Sequence, residues 1–474
     1  MLAVLTMLGL AALTQLVPAL ERLRLFGDPP PPAATAPAQA SATLAVGEAM
    51  IETETRTRPE LAQPEHAVLP VAGRRGPIAG SDSNDGVEID LDFTHPPVAI
   101  TDPSGKALDG FYTALERTRQ KRPGAVTRVL HFGDSIVTSD YVSGTLRRKF
   151  QDQFGDAGHG FSLIANAWPA YFHNDVYRFA SSGWLVSRVV GPLTPDGLYG
   201  LGGVSFRAPP GARARFGTAK SGRHGRAVSR FTVLYLEQPG GGQMALNVDG
   251  QPNSTIATDA PVVRVARRQV DVPDGEHELE IVTQKGMTRA FGVIMERSGP
   301  GVVLDAIGIQ GARIRFLDKQ DDRHFAEELA ARKPDLVIYQ FGANESGDNF
   351  AYPMAEYRRT MIDVLRQGRN ALPDAGCLVL TAMDRAEKRG TSLTSMPVIP
   401  ALVKEQKVAA AEVGCALFDI YGAMGGAGSM PTWVRRGLGQ ADLTHPSGVG
   451  SEVLANWIYR ALILGYDDYR KKQR

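Results

Sequence analysis

The sequence predicts an α/β protein whose parallel sheet is interrupted by a long antiparallel β insertion. Three observations carry this. Apolar strand-like segments at 126–132, 302–309 and 335–341 each empty into a polar or glycine-rich turn. A last polar group at 442–445 stands just before an amphipathic helix at about 448–464. Between about 200 and 300 helical periodicity disappears and period-two alternation takes its place.

The chain has 474 residues, 43% of them hydrophobic and 22% charged, which is enough for two or three domains and a large core. Whole-chain disorder and a disulfide-stapled miniprotein are excluded. Lys and Arg total 52 against 51 Asp and Glu, a net charge of +1. No global basic field is available for nucleic acid, and no acidic one for cations. The 2 cysteines, Cys377 and Cys415, exclude a cysteine-based zinc motif. Each begins a strand-like segment. They read as two small buried residues, or as a disulfide in an oxidising compartment, and spacing does not decide between these.

Residues 1–25 open with twenty positions free of charged side chains (MLAVLTMLGLAALTQLVPAL), long enough to cross a bilayer as a helix. A membrane anchor or signal segment is expected there. Arg22 and Arg24 follow the apolar run, which on the positive-inside rule argues for the opposite orientation, while the small-residue triplet Ala38-Gln39-Ala40 lies far beyond it, which favours an uncleaved anchor. Residues 26–100 are expected to form a disordered tether. No aromatic residue occurs from Gly27 to Asp92, and prolines cluster from Pro29 onward.

The catalytic candidates follow in chain order. A helix is expected over 107–121, with Leu108, Tyr112, Leu115 and Thr118 on one face. The buried strand VTRVLHF (126–132) leads directly into Gly133-Asp134-Ser135, and a helix runs from about Ser139 to Phe154 with Gly155 as its C-cap. Ser135 therefore sits at a tight strand-to-helix turn on the carboxyl edge of the sheet, where open α/β sheets bind ligands. VVLDAIGIQGA (302–312) brings Gly308 and Gly311 to the same edge, and DLVIYQFGANES (335–346) brings Asn344. A serine hydroxyl needs a base, and imidazole titrates near working pH, so His445 suits Ser135. Asp442, three residues earlier, suits the imidazole. The Ser135 N–H, the Gly311 N–H and the Asn344 amide would receive an oxyanion. Asp134 reads as a structural neighbour of the serine and His131 as a satisfied core histidine.

GDS at 133–135, Gly311, Asn344 in GANE and Asp442-x-x-His445 together resemble the four blocks of the SGNH (GDSL) hydrolase family, in the family's order. The resemblance implies a flavodoxin-like three-layer α/β/α sandwich and metal-free, cofactor-free acyl ester chemistry. It assigns Ser135 as nucleophile, Asp442 and His445 as the rest of the triad, and Gly311 and Asn344 as oxyanion donors. The family often has Gly-x-Asn-Asp where Glu345 stands here. The GxNE form and the stretch at 133–161 resemble the peptidoglycan O-acetylesterase branch.

The hydrolase is expected in two pieces, 101–165 and 301–474, around an insertion at 166–300. Alternating segments such as Phe231-Val233-Tyr235 and Met244-Leu246-Val248, with turn signals at Asp249-Gly250 and Asp274-Gly275, indicate an antiparallel β-sandwich. By resemblance it is similar to a carbohydrate-binding-module-type insert. Trp168, Tyr171, Phe172, Tyr177, Trp184 and Tyr199 offer either a glycan platform or core. The basic run from Arg213 to Arg226 offers an anionic-glycan contact or a solvated loop. The polar loop 384–398 is expected to form a moving wall of the cleft.

The expected function is an esterase that removes O-acetyl groups from peptidoglycan or another envelope polysaccharide. The expected partners are an O-acetylated glycan and, through the N-terminus, the inner membrane facing the periplasm, with no nucleic acid. An O-acetyltransferase with the same triad and an inactive glycan-binding protein are the alternatives.

Overall fold

The computed structural model describes residues 95–474; the expected anchor at 1–25 and all but the end of the tether lie outside the described residues. Among the described residues no helix is long and apolar enough to cross a membrane. The tether expected to reach residue 100 ends sooner, because Val98 and Ile100 already pack on the core. Thr101 then bridges Leu417.

Five parallel strands form the central sheet: β1 (Val126–Gly133), β2 (Gly301–Gly308), β3 (Leu336–Gln340), β4 (Gly376–Leu380) and β5 (Ala416–Phe418). Their spatial order is β2-β1-β3-β4-β5, the flavodoxin-like arrangement with its switch point between β1 and β3. Nearly every residue of these strands is buried, as a sheet covered on both faces requires. Alternate side chains enter two different cores. Val129, Leu304, Ile338 and Leu378 join the core beneath α1 (Asp109–Arg119), α3 (Tyr141–Phe154) and the C-terminal helix. Leu130, Ile307, Val337 and Val379 join the other core. That core also holds residues of α4 (Asp322–Arg332), α5 (Met354–Ala371) and α6 (Val398–Val413). The C-terminal helix, α7 (Gly448–Lys472), is longer than expected. The four residues proposed for one face of α1 are all buried.

Between β1 and β2 the chain builds two antiparallel sheets from residues 160 to 296. One has the order Arg264–Gly275, Val228–Glu237, Thr288–Glu296, Val204–Ala208, Leu185–Arg188, and Gly160–Leu163 also pairs with Thr288–Glu296. The other runs Val176–Ala180, Arg213–Thr218, Glu278–Lys285, Gln243–Val248, Gln251–Ala257. Inward residues of both sheets, such as Phe206, Leu234, Leu246 and Ile281, belong to the same core as β1 and β3. Asp249-Gly250 makes the expected two-residue hairpin, both residues with positive φ, 51° and 76°. Asp274-Gly275 does not. It lies at the end of a strand of one sheet, and the next strand belongs to the other sheet.

Of the six aromatics proposed for a glycan platform, Trp168, Tyr171, Phe172, Trp184 and Tyr199 are buried in core. Tyr177 is partly covered, with Lys220 over its ring. The basic run is largely paired: Arg213 and Arg215 with Glu280, Arg223 and His224 with Asp152, Arg226 with Glu276. Cys377 and Cys415 form a disulfide that joins the starts of β4 and β5.

Candidate active site

β1, β2 and β3 end level with one another. Gly133 is in register with Gly308 on one side and Gln340 on the other. The turns that follow these strands therefore open onto one stretch of the carboxyl edge. After Gly133 the chain enters a short helix, α2 (Ser135–Thr138). It lies directly on the strand ends. A Cβ at Gly308 would stand 2.1 Å from the Thr138 nitrogen, and one at Gly133 would stand 2.3 Å from Val137 Cγ2. Only glycine admits this approach, which places Ser135 at the start of α2 and half-exposed. The first N–H groups of a helix have no intrahelical partner, so the Ser135 N–H is free to face a ligand.

Ser135 Oγ lies 2.7 Å from His445 Nε2, although the two residues are 310 positions apart. His445 Nδ1 lies 2.6 Å from Asp442 Oδ2. The other oxygen of Asp442 accepts from the backbone N–H groups of Thr444 (2.9 Å) and His445 (3.0 Å). Leu443, between Asp442 and Thr444, takes a positive φ of 59° to close this loop. Burial opposes ionisation of Asp442, but the bonds from the His445 backbone and ring and from Thr444 outweigh it and hold the carboxyl below its ordinary range. With Asp442 accepting from Nδ1–H, Nε2 is left unprotonated and aimed at the serine hydroxyl.

Gly311 follows β2 in a tight turn at φ 79°, exposed, while Gly308 is enclosed at the strand end. Asn344 follows β3. Its side-chain amide donates to Ala312 O at 2.9 Å, and its second N–H remains for another acceptor. Ser135, Gly311, Asn344, Asp442 and His445 are thus brought to one edge by three adjacent strands and the loop before α7.

Asp134 and His131 are structural neighbours. Asp134 is buried and caps α2, accepting from the Ile136 N–H at 3.0 Å. Burial pushes its carboxyl up to about 6, against the pull of that hydrogen bond and of nearby His445. His131 is buried between Gln340 (3.0 Å) and Ser143 (2.9 Å), and burial takes it down to about 4, so it stays neutral.

The sequence reading named Glu345 and loop 384–398 but not the bonds that hold them, and the loop is pinned rather than a moving wall. Glu345 is buried, with one carboxyl oxygen 2.8 Å from the Ile314 N–H. Burial, reinforced by nearby Asp134, pushes it up to about 7. The segment Asp384–Ala386 ties the site's two halves together. Arg385 donates to Ala343 O (2.8 Å) and Ser346 Oγ (2.9 Å), and the Ala386 N–H donates to Leu443 O (3.0 Å). Loop 384–398 is therefore a β-hairpin (Ala386–Arg389 with Ser392–Ser395) pinned at its base, with Ser395 Oγ donating to Asp384 at 2.6 Å. An Asp-Arg pair just past β4 was the available signal.

This fold and edge define an SGNH-type hydrolase. Residues 281–453 match the family model of the GDSL-like lipase/acylhydrolases, a stretch that holds Gly311, Asn344, Asp442 and His445. The matched stretch begins within the insertion strand Glu278–Lys285 and so excludes Ser135 itself. Among solved structures, one titled "Peptidoglycan O-acetylesterase in action" is similar at 23% identity and a TM-score of 0.66, covering 78% of this chain and 99% of that one. A family two carbohydrate esterase from Cellvibrio japonicus is similar at 14% identity and a TM-score of 0.25, covering 62% and 98%. No curated protein sequence gives a significant match.

Proposed function

We propose that this protein is a serine-dependent carbohydrate O-acetylesterase of the bacterial cell envelope, acting on O-acetylated peptidoglycan. The observation that carries the reading is the unbroken relay Ser135 Oγ to His445 Nε2 and His445 Nδ1 to Asp442 on a ligand-binding sheet edge. His445 takes the hydroxyl proton as Ser135 Oγ bonds to the acetyl carbonyl carbon. The carbonyl oxygen becomes an oxyanion and receives the N–H groups of Ser135 and Gly311 and the free N–H of Asn344. When the tetrahedral species collapses, the sugar oxygen leaves and takes the proton from His445. Water then attacks the acetyl-serine by the same route, returning Ser135 and releasing acetate. The side chains present supply the nucleophile, base and oxyanion donors, so this sequence of steps needs no metal or cofactor.

The choice of peptidoglycan is supported by the printed name of the structural neighbour, whose likeness covers 78% of this chain. The envelope location is supported by the apolar N-terminal run, the Pro-rich stretch after it and the disulfide, which forms in oxidising compartments. The antiparallel part is proposed as the glycan-facing element.

The test is acetate release from O-acetylated peptidoglycan by the full chain beside Ser135→Ala. Release that falls by on the order of 10⁴-fold or more in the variant supports the reading. Equal release by both would end it. Acetyl transfer to an added sugar in place of release would assign the transferase reaction to the same serine.

A further inference from the structure

The two residues that close the GANE motif grip the same turn from adjacent positions. Asn344 donates to Ala312 O at 2.9 Å, and Glu345 accepts from the Ile314 N–H at 2.8 Å. That turn carries Gly311, whose positive φ of 79° sets the direction of its N–H. Its own backbone contributes one closing bond, Ala312 N–H to Ile309 O at 3.0 Å. The Glu345 bond therefore fixes the far end of the turn.

We propose that Glu345 is a positioning residue for the oxyanion hole, holding the Gly311–Ile314 turn at the height the Gly311 N–H needs to meet an oxyanion on Ser135. The inference rests on the esterase reading above.

Chain length explains why glutamate stands here. An aspartate would fall short by one carbon–carbon bond, about 1.5 Å, and lose contact with the Ile314 N–H. The second carboxyl oxygen of Glu345 is buried without a hydrogen-bond partner among the described residues. The charged group acting on it with the same sign is Asp134, and the nearby Arg313 guanidinium is engaged by Asp348. Tyr357, also close, is held neutral by burial. An ionised carboxylate with one unmet oxygen in such a place is far costlier than the neutral acid. The neutral acid presents a carbonyl oxygen to Ile314, and a carboxamide does the same.

The experiment compares Glu345→Ala, Glu345→Asp and Glu345→Gln in the full chain, with 4-nitrophenyl acetate and with O-acetylated peptidoglycan, after thermal melts confirm folding. The expected result is that Ala and Asp lower kcat by about 10- to 100-fold, part of what losing an oxyanion donor costs, with KM within about twofold. Gln keeps kcat within about threefold of the parent, because it restores the carbonyl. Wild-type kcat in the Ala or Asp variant would overturn the proposal. So would a Gln variant as impaired as Ala, or losses confined to KM. If the Ala variant does not fold, the Asp and Gln variants decide. An inactive parent enzyme would remove the esterase reading and this inference with it, whereas an active parent with unaffected variants removes only this one.

Discussion

Asp442 acts on His445 from three positions away in a loop that is partly open to solvent, and both carboxyl oxygens are committed to that loop. Asp442→Asn keeps the shape but offers the imidazole a donor in place of an acceptor at one rotamer. The expected effect is a kcat lower by on the order of 10³- to 10⁴-fold with KM little changed, read by steady-state kinetics on a small acetyl ester. Glu345 carries a second expectation. Its carboxyl moves from 4.5 to about 7 on folding, so the folded state holds the proton more tightly than the unfolded one. Its contribution to stability is present below the unfolded value and is lost as pH rises through about 7. Urea melts should show the parent losing more stability between about pH 5 and about pH 8 than Glu345→Gln, which has no proton to release there. Ser135, Asn344, Asp442 and His445 were legible because each needs only its own motif and a strand or helix beside it. The part played by Glu345 was not, since its partner is a backbone N–H 31 residues away. Aromatic content at 168–199 likewise gave no sign of exposure, because a ring that packs on sugar and one that packs in core have the same composition.

Among the elements, α2 shows how strand and turn were readable while their contact was not. The sequence marked a strand, a serine turn and a helix, and the chain adopts all three. The close seating of α2 on β2 depends on Gly308, 173 positions from Ser135. Gly308→Ala should disturb that seating, since the new methyl would meet the Thr138 backbone at 2.1 Å. The expected loss is about 1–3 kcal/mol of stability with a drop in kcat, measured by denaturant melts and kinetics on the same preparation. The Asp-Gly pairs teach a related point. Asp249-Gly250 and Asp274-Gly275 look alike locally, yet the first joins two paired strands and the second precedes a move to another sheet. Partner strands, which a local window does not contain, decide the outcome.

At the scale of the molecule, the parallel sheet, its helices and the antiparallel insertion were all visible as changes of period. Their separation into domains was not what forms. The expected boundary at 165/166 leaves Gly160–Leu163 on the hydrolase side, but that strand pairs with Thr288–Glu296 in the insertion. One hydrophobic core runs from Phe206 and Leu246 through Phe132 and Tyr339 to Tyr357. Buried Arg332 of α4 binds Asp305 of β2 and Glu296 at the insertion's last strand. Gly200 N–H donates to His324 of α4. The insertion is therefore expected to melt together with the hydrolase layers in a single transition. Excision of residues 166–296 should leave a product that binds a hydrophobic dye and lacks a cooperative melt, because a face built to be covered would meet water. Two independent transitions by calorimetry would contradict this.

The 310 residues between Ser135 and His445 also set a clock. A ribosome delivers Ser135 first and His445 ~15–60 s later, at 5–20 residues per second. Until the second arrives, the emerging polypeptide exposes an ordinary alcohol with nothing to deprotonate it. On the proposed mechanism, a chain cut short before residue 442 would lack both Asp442 and His445 and lose most of its activity on esters. By the same mechanism, hydrolytic competence would report that synthesis has reached His445.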